Sequence, residues 1–469
     1  MQRDLTPRRS LKRLLIGDKY FYRMVLAIVI PIIIQNAITN FVNLLDNIMV
    51  GQVGTEQMSG VSIANQLMFV FNLCVFGAIS GAGIFAAQFH GAENHEGVRH
   101  CFRYKLLACA GLLAAAVGVL LLGGEFLITR FLHDATDTGR VDVTLEHGLR
   151  YLHIMLFGLL PFALTQVYAG TLRETGETKL PMFAGIAAVF VNLVFNWLLI
   201  FGNLGFPKLG VAGAAIATVL SRYVELAIVV TYTHRHETRY PFIRGVYSSL
   251  RVPGKLAKEI TIKGLPLLIN EGLWSMGMTM LAQCYSIRGL DVVAAMNISN
   301  TISNLFAVTF LSMGSATAII VGQALGANDM ELAKGQAWKL IVFSLGISVV
   351  SLSVMLAVAP LIPRVYRTSE EVRSLATSFL RIYALCMPIF TFCNNAYFTL
   401  RSGGKTLITF LFDSGYTWVI AVPLAWCLVH LTGLPVETVY LIVQLADLLK
   451  CVLGFAFIRR GVWLNNMVA

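Results

Sequence analysis

The sequence predicts an all-α integral membrane protein, with twelve transmembrane helices in two six-helix repeat lobes. Three observations predict it. Of 469 residues, 57% are hydrophobic and only 13% charged, and mean hydropathy is +0.71, which is too apolar for a soluble domain of this size. Apolar runs long enough to cross a bilayer recur from end to end. Two blocks of sequence also recur in order, at shifts of 235 and 228 positions.

The runs lie near 22–50, 60–88, 101–123, 146–171, 181–201, 210–233, 258–286, 295–323, 336–362, 374–401, 407–430 and 435–458. They divide the chain into a basic N-terminal segment (1–21), a first lobe (22–233), a linker (234–257) and a second lobe (258–469). The first run is too long for the apolar core of a signal peptide, so no cleaved leader is expected. Lys and Arg set the orientation. One set of helix ends, with the N-terminal segment and the linker, holds 25 of them, and the opposite set holds eight. This bias predicts that both termini and the linker are cytoplasmic, in a multi-pass protein of the plasma membrane. The net charge of +11 has the same origin, and no nucleic-acid partner is expected.

The repeat is specific. Pro31–Asn94 overlays Pro266–Asp329 without a gap, pairing Gln88, Gly91 and Ala92 with Gln323, Gly326 and Ala327. TLRETGET at 171–178 overlays TLRSGGKT at 399–406. Six helices per copy imply a parallel repeat about an axis along the membrane normal. Gly91 and Gly326 are expected to stop the second and eighth helices. Pro31 and Pro266 sit at equivalent places in the first and seventh, as kinks or as hinges of a conformational switch.

The first helix carries the most telling pattern. Asn36, Asn40, Asn43 and Asp46/Asn47 recur three or four positions apart and share a face. Asp46 is the one ionisable residue between Met24 and Val50, and an acid inside a membrane is a functional candidate by default. Asn192 and Asn196 share a face of the fifth helix, and Thr218 follows on the sixth. Two readings stand open for these four: interhelical hydrogen bonding, or an oxygen-lined site for a small cation. Ser62, Asn65 and Asn72 on the second helix, and Asn297, Asn300 and Asn304 on the eighth, form polar stripes able to line a water-filled cavity. Glu271 supplies the seventh helix with an acid that has no counterpart in the first lobe. Arg222 with Glu225, and Asp447 with Lys450, are spaced to neutralise each other along their own helices. Arg381 and Asp413 have no sequence-local partner, and solvation at a helix end is expected for Asp413.

The eight cysteines form no CxxC and no metal-spaced group, and they read as packing residues. HExxH, GxSxG and Walker A patterns are absent, so no enzyme is expected, and any active transport must run on an ion gradient.

Taken together, these features resemble the multidrug and toxic compound extrusion (MATE) family of cation-coupled antiporters. The resemblance spans the whole chain. It rests on Pro31, Gln35, Asn43, Asp46, Gly51 and Gly54 in order, the QxxGA helix ends, the two TLR blocks, Asn192 and Asn196 ahead of Gly202, and LGVAGAAIATVLSRY at 209–223. It implies two lobes around a central cavity that opens alternately inward and outward. It also implies a cation site carried by Asp46, Asn192, Asn196 and Thr218. Substrates would be small, amphipathic, often cationic organic compounds meeting a cavity lined by Asn36, Asn43, Asn65, Glu271 and Asn300. No cofactor is expected, only H+ or Na+ as coupling ion, and the protein is expected to be a monomer in the lipid bilayer. Two departures from the family pattern matter: some members carry an acid where Asn196 stands, and Glu271 lies about one turn early relative to its proline. A flippase for polyprenyl-diphosphate saccharides is the main rival, but it needs several cations inside the cavity, and Arg381 is the one unpaired candidate well inside a span. An intramembrane enzyme would need a paired acid, metal or nucleophile site that the sequence does not offer.

Overall fold

The structure is a computed structural model describing residues 15–131, 138–366 and 368–469. The basic residues of 1–14, and the side chains of residues 43, 44, 47, 55, 56, 131 and 138–140, Asn43 among them, lie outside the described residues. Among the described residues there are twelve long helices and no strand. In the first half they are α1 (Lys19–Gly51), α2 (Thr55–Gly91), α3 (His95–Phe131), α4 (Thr138–Glu174), α5 (Lys179–Phe201) and α6 (Val211–Arg235). In the second they are α7 (Gly254–Ser286), α8 (Leu290–Gly326), α9 (Met330–Val358), α10 (Glu370–Ser402), α11 (Thr406–Leu431) and α12 (Val436–Arg460). Eleven are long and apolar enough to span a bilayer. The exception is α7, diluted by Lys255, Lys258, Glu259 and Lys263 in its first turns and by Asn270 and Glu271 beyond Pro266.

The repeated sequence acquires a physical meaning here. Gly91 and Gly326 do not supply the left-handed stop that the sequence suggests: both are the last residues of their helices. The left-handed residues are Glu93 (φ 56°) and Asn328 (φ 59°), two positions later in each copy. The glycines serve close approach instead. A Cβ on Gly91 would collide with the Gln323 carbonyl oxygen, and one on Gly326 with that of Gln88. The next position in each copy caps the following helix: Asn94 Oδ1 accepts from Gly97 N at 2.8 Å, and Asp329 Oδ1 from Leu332 N at 2.9 Å. In the second block, Gly176 and Gly404 share a left-handed conformation (φ 86° and 71°) that makes the turn after α4 and α10.

The chain forms two compact units. One comprises residues 15–33, Ala87–Glu93 and Leu265–Ala469, and the other Ile34–Ala86 and Asn94–Gly264. Helix α1 therefore passes from one unit to the other two residues after Pro31, and α7 does so one residue before Pro266. In the first unit, Val25, Val29 and Ile32 of α1 are buried against Met313, Ala316 and Ile320 of α8, with Leu340, Leu400 and Trp463 completing the core. In the second, small residues let backbones meet: a Cβ on Gly81 would lie 2.5 Å from Gly264 Cα, and one on Gly213 would lie 2.5 Å from Leu199 O.

The connection between α6 and α7 is packed, not slack. Tyr240, Phe242, Ile243 and Val246 are buried. Arg99 donates to the carbonyls of Phe242 (3.2 Å) and Pro241 (3.3 Å), and Arg103 to those of Val246 (2.9 Å) and Gly245 (2.8 Å). Glu177 accepts from Arg239 (2.6 Å) and from the Tyr240 hydroxyl (3.2 Å). Burial, and then the Glu177 charge, raise the Tyr240 phenol well above its ordinary value, so it stays a donor. Lys105 of α3, fully buried, is held by the carboxylate of Glu174 and by Thr171 Oγ1 at 3.1 Å.

Candidate functional site

Asp46, Asn192, Asn196 and Thr218 come from three helices and meet within one unit. Asn196 Nδ2 donates to Asp46 Oδ1 at 2.6 Å and to Asn192 Oδ1 at 3.0 Å. Asn192 Nδ2 donates to Thr218 Oγ1 at 3.3 Å, and that hydroxyl donates to Ala214 O at 3.0 Å. The result is one chain of polar groups across α1, α5 and α6. Four-residue spacing on α5 makes it possible, since Asn192 and Asn196 project from successive turns of one face. Asn192 is 4% exposed and Asn196 1%.

One oxygen in this chain is unsatisfied. Asn196 Oδ1 is buried and has no hydrogen-bond partner. An orphaned buried acceptor is costly, so it needs a reason. On the amide that hydrogen-bonds the Asp46 carboxyl group, an oxygen free to accept a proton donor or to ligate a cation is a chemical reason. The donor set of one carboxylate, two amide oxygens and a hydroxyl suits a hard monovalent cation or a proton and lacks the soft ligands of a transition-metal site.

The surroundings are aromatic and charged. Arg222, one turn beyond Thr218 on α6, lies 3.6 Å from Glu225 and with its guanidinium carbon 5.1 Å from the centre of the Phe162 ring. The expected Arg222–Glu225 pair is therefore present. Asn65 on α2 accepts from the Tyr151 hydroxyl at 3.2 Å. Asn36 is half-buried on α1 in the same unit. Glu271 (half-buried) and Asn300 (exposed) belong to the other unit.

The second half differs from expectation at two acids. Lys450 pairs with Asp413 at 3.4 Å, not with Asp447, its helical neighbour. Asp413 is thus not simply solvated at a helix end: it also accepts from Asn270 Nδ2 at 3.1 Å. Sequence spacing could not reveal either contact, because both partners sit on other helices, with Asn270 143 positions away. The polar Asn270 immediately before Glu271 was the available signal.

Known proteins agree with this architecture. The MatE family profile matches residues 31–198 and 266–427, one stretch in each half. A probable multidrug resistance protein NorM of Thermotoga maritima is 27% identical over 453 residues, covering 94% of this chain and 92% of that protein. The probable multidrug resistance protein YoeA of Bacillus subtilis is 25% identical over 420 residues, covering 89% of each. Among solved structures, an outward-facing multidrug resistance MATE family transporter of the MOP superfamily superposes with a TM-score of 0.82 at 22% identity, over 96% of this chain and 98% of that one. A MOP superfamily transporter from Pyrococcus furiosus, described as having a binding pocket of reversed polarity, gives the same values. With the family profile covering well over half of its length, in two stretches that coincide with the two copies of its own repeat, the chain belongs to the MatE family.

Proposed function

We propose that this protein is a cation-coupled antiporter, with H+ or Na+ as coupling ion, that exports amphipathic and often cationic organic compounds by alternating access. The observation that carries the reading is the Asp46–Asn196–Asn192–Thr218 chain with its unsatisfied Asn196 oxygen. Membership of a family whose named relatives are multidrug resistance proteins supports it.

The chemistry follows from the amide. With Asp46 ionised, Asn196 points its N–H at the carboxylate. A proton or a sodium ion arriving at Asp46 neutralises that charge, and the amide N–H then faces a group that no longer rewards it. A turn of the Asn196 amide presents Oδ1 to the newcomer and satisfies the orphaned acceptor. The same turn withdraws the N–H from Asn192, so α5 and α6 register the event at α1. Helix α1 is the element that also contains Pro31 and continues into the other unit, so ion occupancy acts on a helix already bent or hinged by sequence. Substrate and ion then exchange through opposite preferences for two conformations, which is the thermodynamic content of antiport. Asn36, Asn43 and Asn65 in one unit, and Glu271 and Asn300 in the other, are the polar residues proposed to meet substrate, and Glu271 offers a cationic drug its countercharge. The protein acts as a monomer in the cell membrane with both termini cytoplasmic.

The test is ethidium efflux from a pump-deficient bacterium expressing the chain. Export should depend on the proton or the sodium gradient and stop when that gradient is collapsed. Export that continues unchanged after both gradients are dissipated overturns the reading.

A further inference from the structure

Lys450 lies where a ligand cation would lie. Its ammonium is 3.4 Å from Asp413 Oδ1 and stands over two aromatic rings, 5.5 Å from the centre of Phe412 and 5.3 Å from that of Tyr416. A carboxylate beside aromatic faces is the donor set that holds organic ammonium groups.

The place is built independently of the lysine. Asn270, 2% exposed, donates to the second oxygen of Asp413 at 3.1 Å. Asn270 Oδ1 in turn accepts from the Ser414 backbone N–H at 3.3 Å and from its hydroxyl at 2.7 Å. Trp418 fixes the same pair of helices by donating to Leu273 O at 2.8 Å. Contacts between α7 and α11 thus orient the carboxylate, and the lysine arrives from a third helix.

Three features mark the lysine as replaceable. At 3.4 Å the ion pair is longer than the ~2.7–2.9 Å of a close charge-assisted bond. The side chains of Asp413 and Lys450 remain 22% and 11% exposed, so the pair is not sealed. The backbone is irregular on both sides: α11 winds with wide i→i+5 turns at Leu411–Gly415 and Thr417–Ala421, and α12 breaks at Asp447. Wide turns of this kind concentrate at functional sites. Asp447, at that break and three residues before Lys450 in the chain, offers a displaced ammonium a second carboxylate.

We propose that Asp413, Phe412 and Tyr416 form a subsite for a monovalent organic cation, and that Lys450 is a tethered cation occupying it in competition with the ligand. This rests on the reading of the protein as a carrier of organic cations. Ligand entry moves Lys450 from Asp413 to Asp447, so the local charge balance is kept while the site is filled.

The experiment uses the purified full chain in detergent, with tetraphenylphosphonium as the probe and equilibrium binding as the readout. If Lys450 leaves the site free in about a tenth of molecules, Lys450→Met binds the probe about tenfold more tightly than the parent. Adding Asp413→Asn abolishes that gain. A folded Lys450→Met protein with unchanged or weaker affinity overturns the proposal, as does a gain that survives Asp413→Asn. Asp447→Asn provides a second test that leaves the Lys450–Asp413 pair intact. It removes the resting place for the displaced ammonium and should weaken probe binding, whereas a purely structural ion pair predicts no change. No gradient is present in these measurements, so their outcome is independent of coupling through Asp46.

Discussion

Asn196 is joined to Asp46 by the shorter of the two hydrogen bonds its amide nitrogen donates, 2.6 Å against 3.0 Å to Asn192. The carboxylate therefore dominates the orientation of the amide. Asp46→Asn keeps the size of the group and removes its charge, imitating a permanently neutralised site. The variant should fold and bind dye, yet fail to couple efflux to a gradient. Asn192→Ala and Asn196→Ala, each removing one neutral ligand, should reduce coupled efflux less. Dye efflux from energised cells, normalised to expression, checks this, and near-normal gradient-driven export by Asp46→Asn would move the coupling site elsewhere.

Gly91 and Gly326 face backbone carbonyls that cannot swing aside. Gly91→Ala or Gly326→Ala should therefore lower thermal stability in detergent. Gly111→Ala and Gly118→Ala are the controls, because a Cβ at either meets nothing within 4 Å. These should be neutral, or stabilising by roughly 0.5–1 kcal/mol from helix propensity. Equal melting temperatures across all four would remove the packing role assigned to the repeated glycines.

The buried Lys105–Glu174 pair makes a quantitative prediction. Lys105→Met strands a partly buried carboxylate, and losses on breaking such pairs run to about 3–5 kcal/mol. Lys105→Met with Glu174→Gln removes both charges and should recover much of that loss. A double-mutant cycle reads the coupling directly. Independent, additive effects would show that the two side chains do not act as a pair.

Topology is testable without any transport assay. Reporter fusions at Ala469 and in the loop after Gly202 should report opposite sides of the membrane, with Ala469 cytoplasmic. Signals from one side only would contradict twelve spans with both ends inside.

Much of this organisation is legible in the sequence. The membrane helices follow from run length, and helical spacing puts Asn192 and Asn196 on one face of α5. The grouping of Asp46 and Thr218 with them across three helices is implied by the family resemblance, because spacing along one helix cannot see another. What escaped were contacts between distant positions. Spacing leaves Asp413 to solvent because its partners lie on α7 and α12, and it gives Lys450 to Asp447 because it cannot see a third helix. The grip of Arg99 and Arg103 on the 234–257 connection was hidden for a related reason. The acceptors are main-chain carbonyls, which no residue type announces. The glycines of the QxxGA ends were visible, but a stop and a close approach select the same residue.

The reciprocity of that close approach has a consequence for ancestry. Gly91 abuts Gln323, and Gly326 abuts Gln88, where each partner is the repeat counterpart of the other. A surface that meets its own copy in this exchanged manner is isologous, the kind of contact that holds a two-fold homodimer together. A chain of half this length carrying a single QxxGA end would possess both sides of the joint. Fusion of two such chains would then have had only to supply a connecting segment, since the seam between them was already self-complementary.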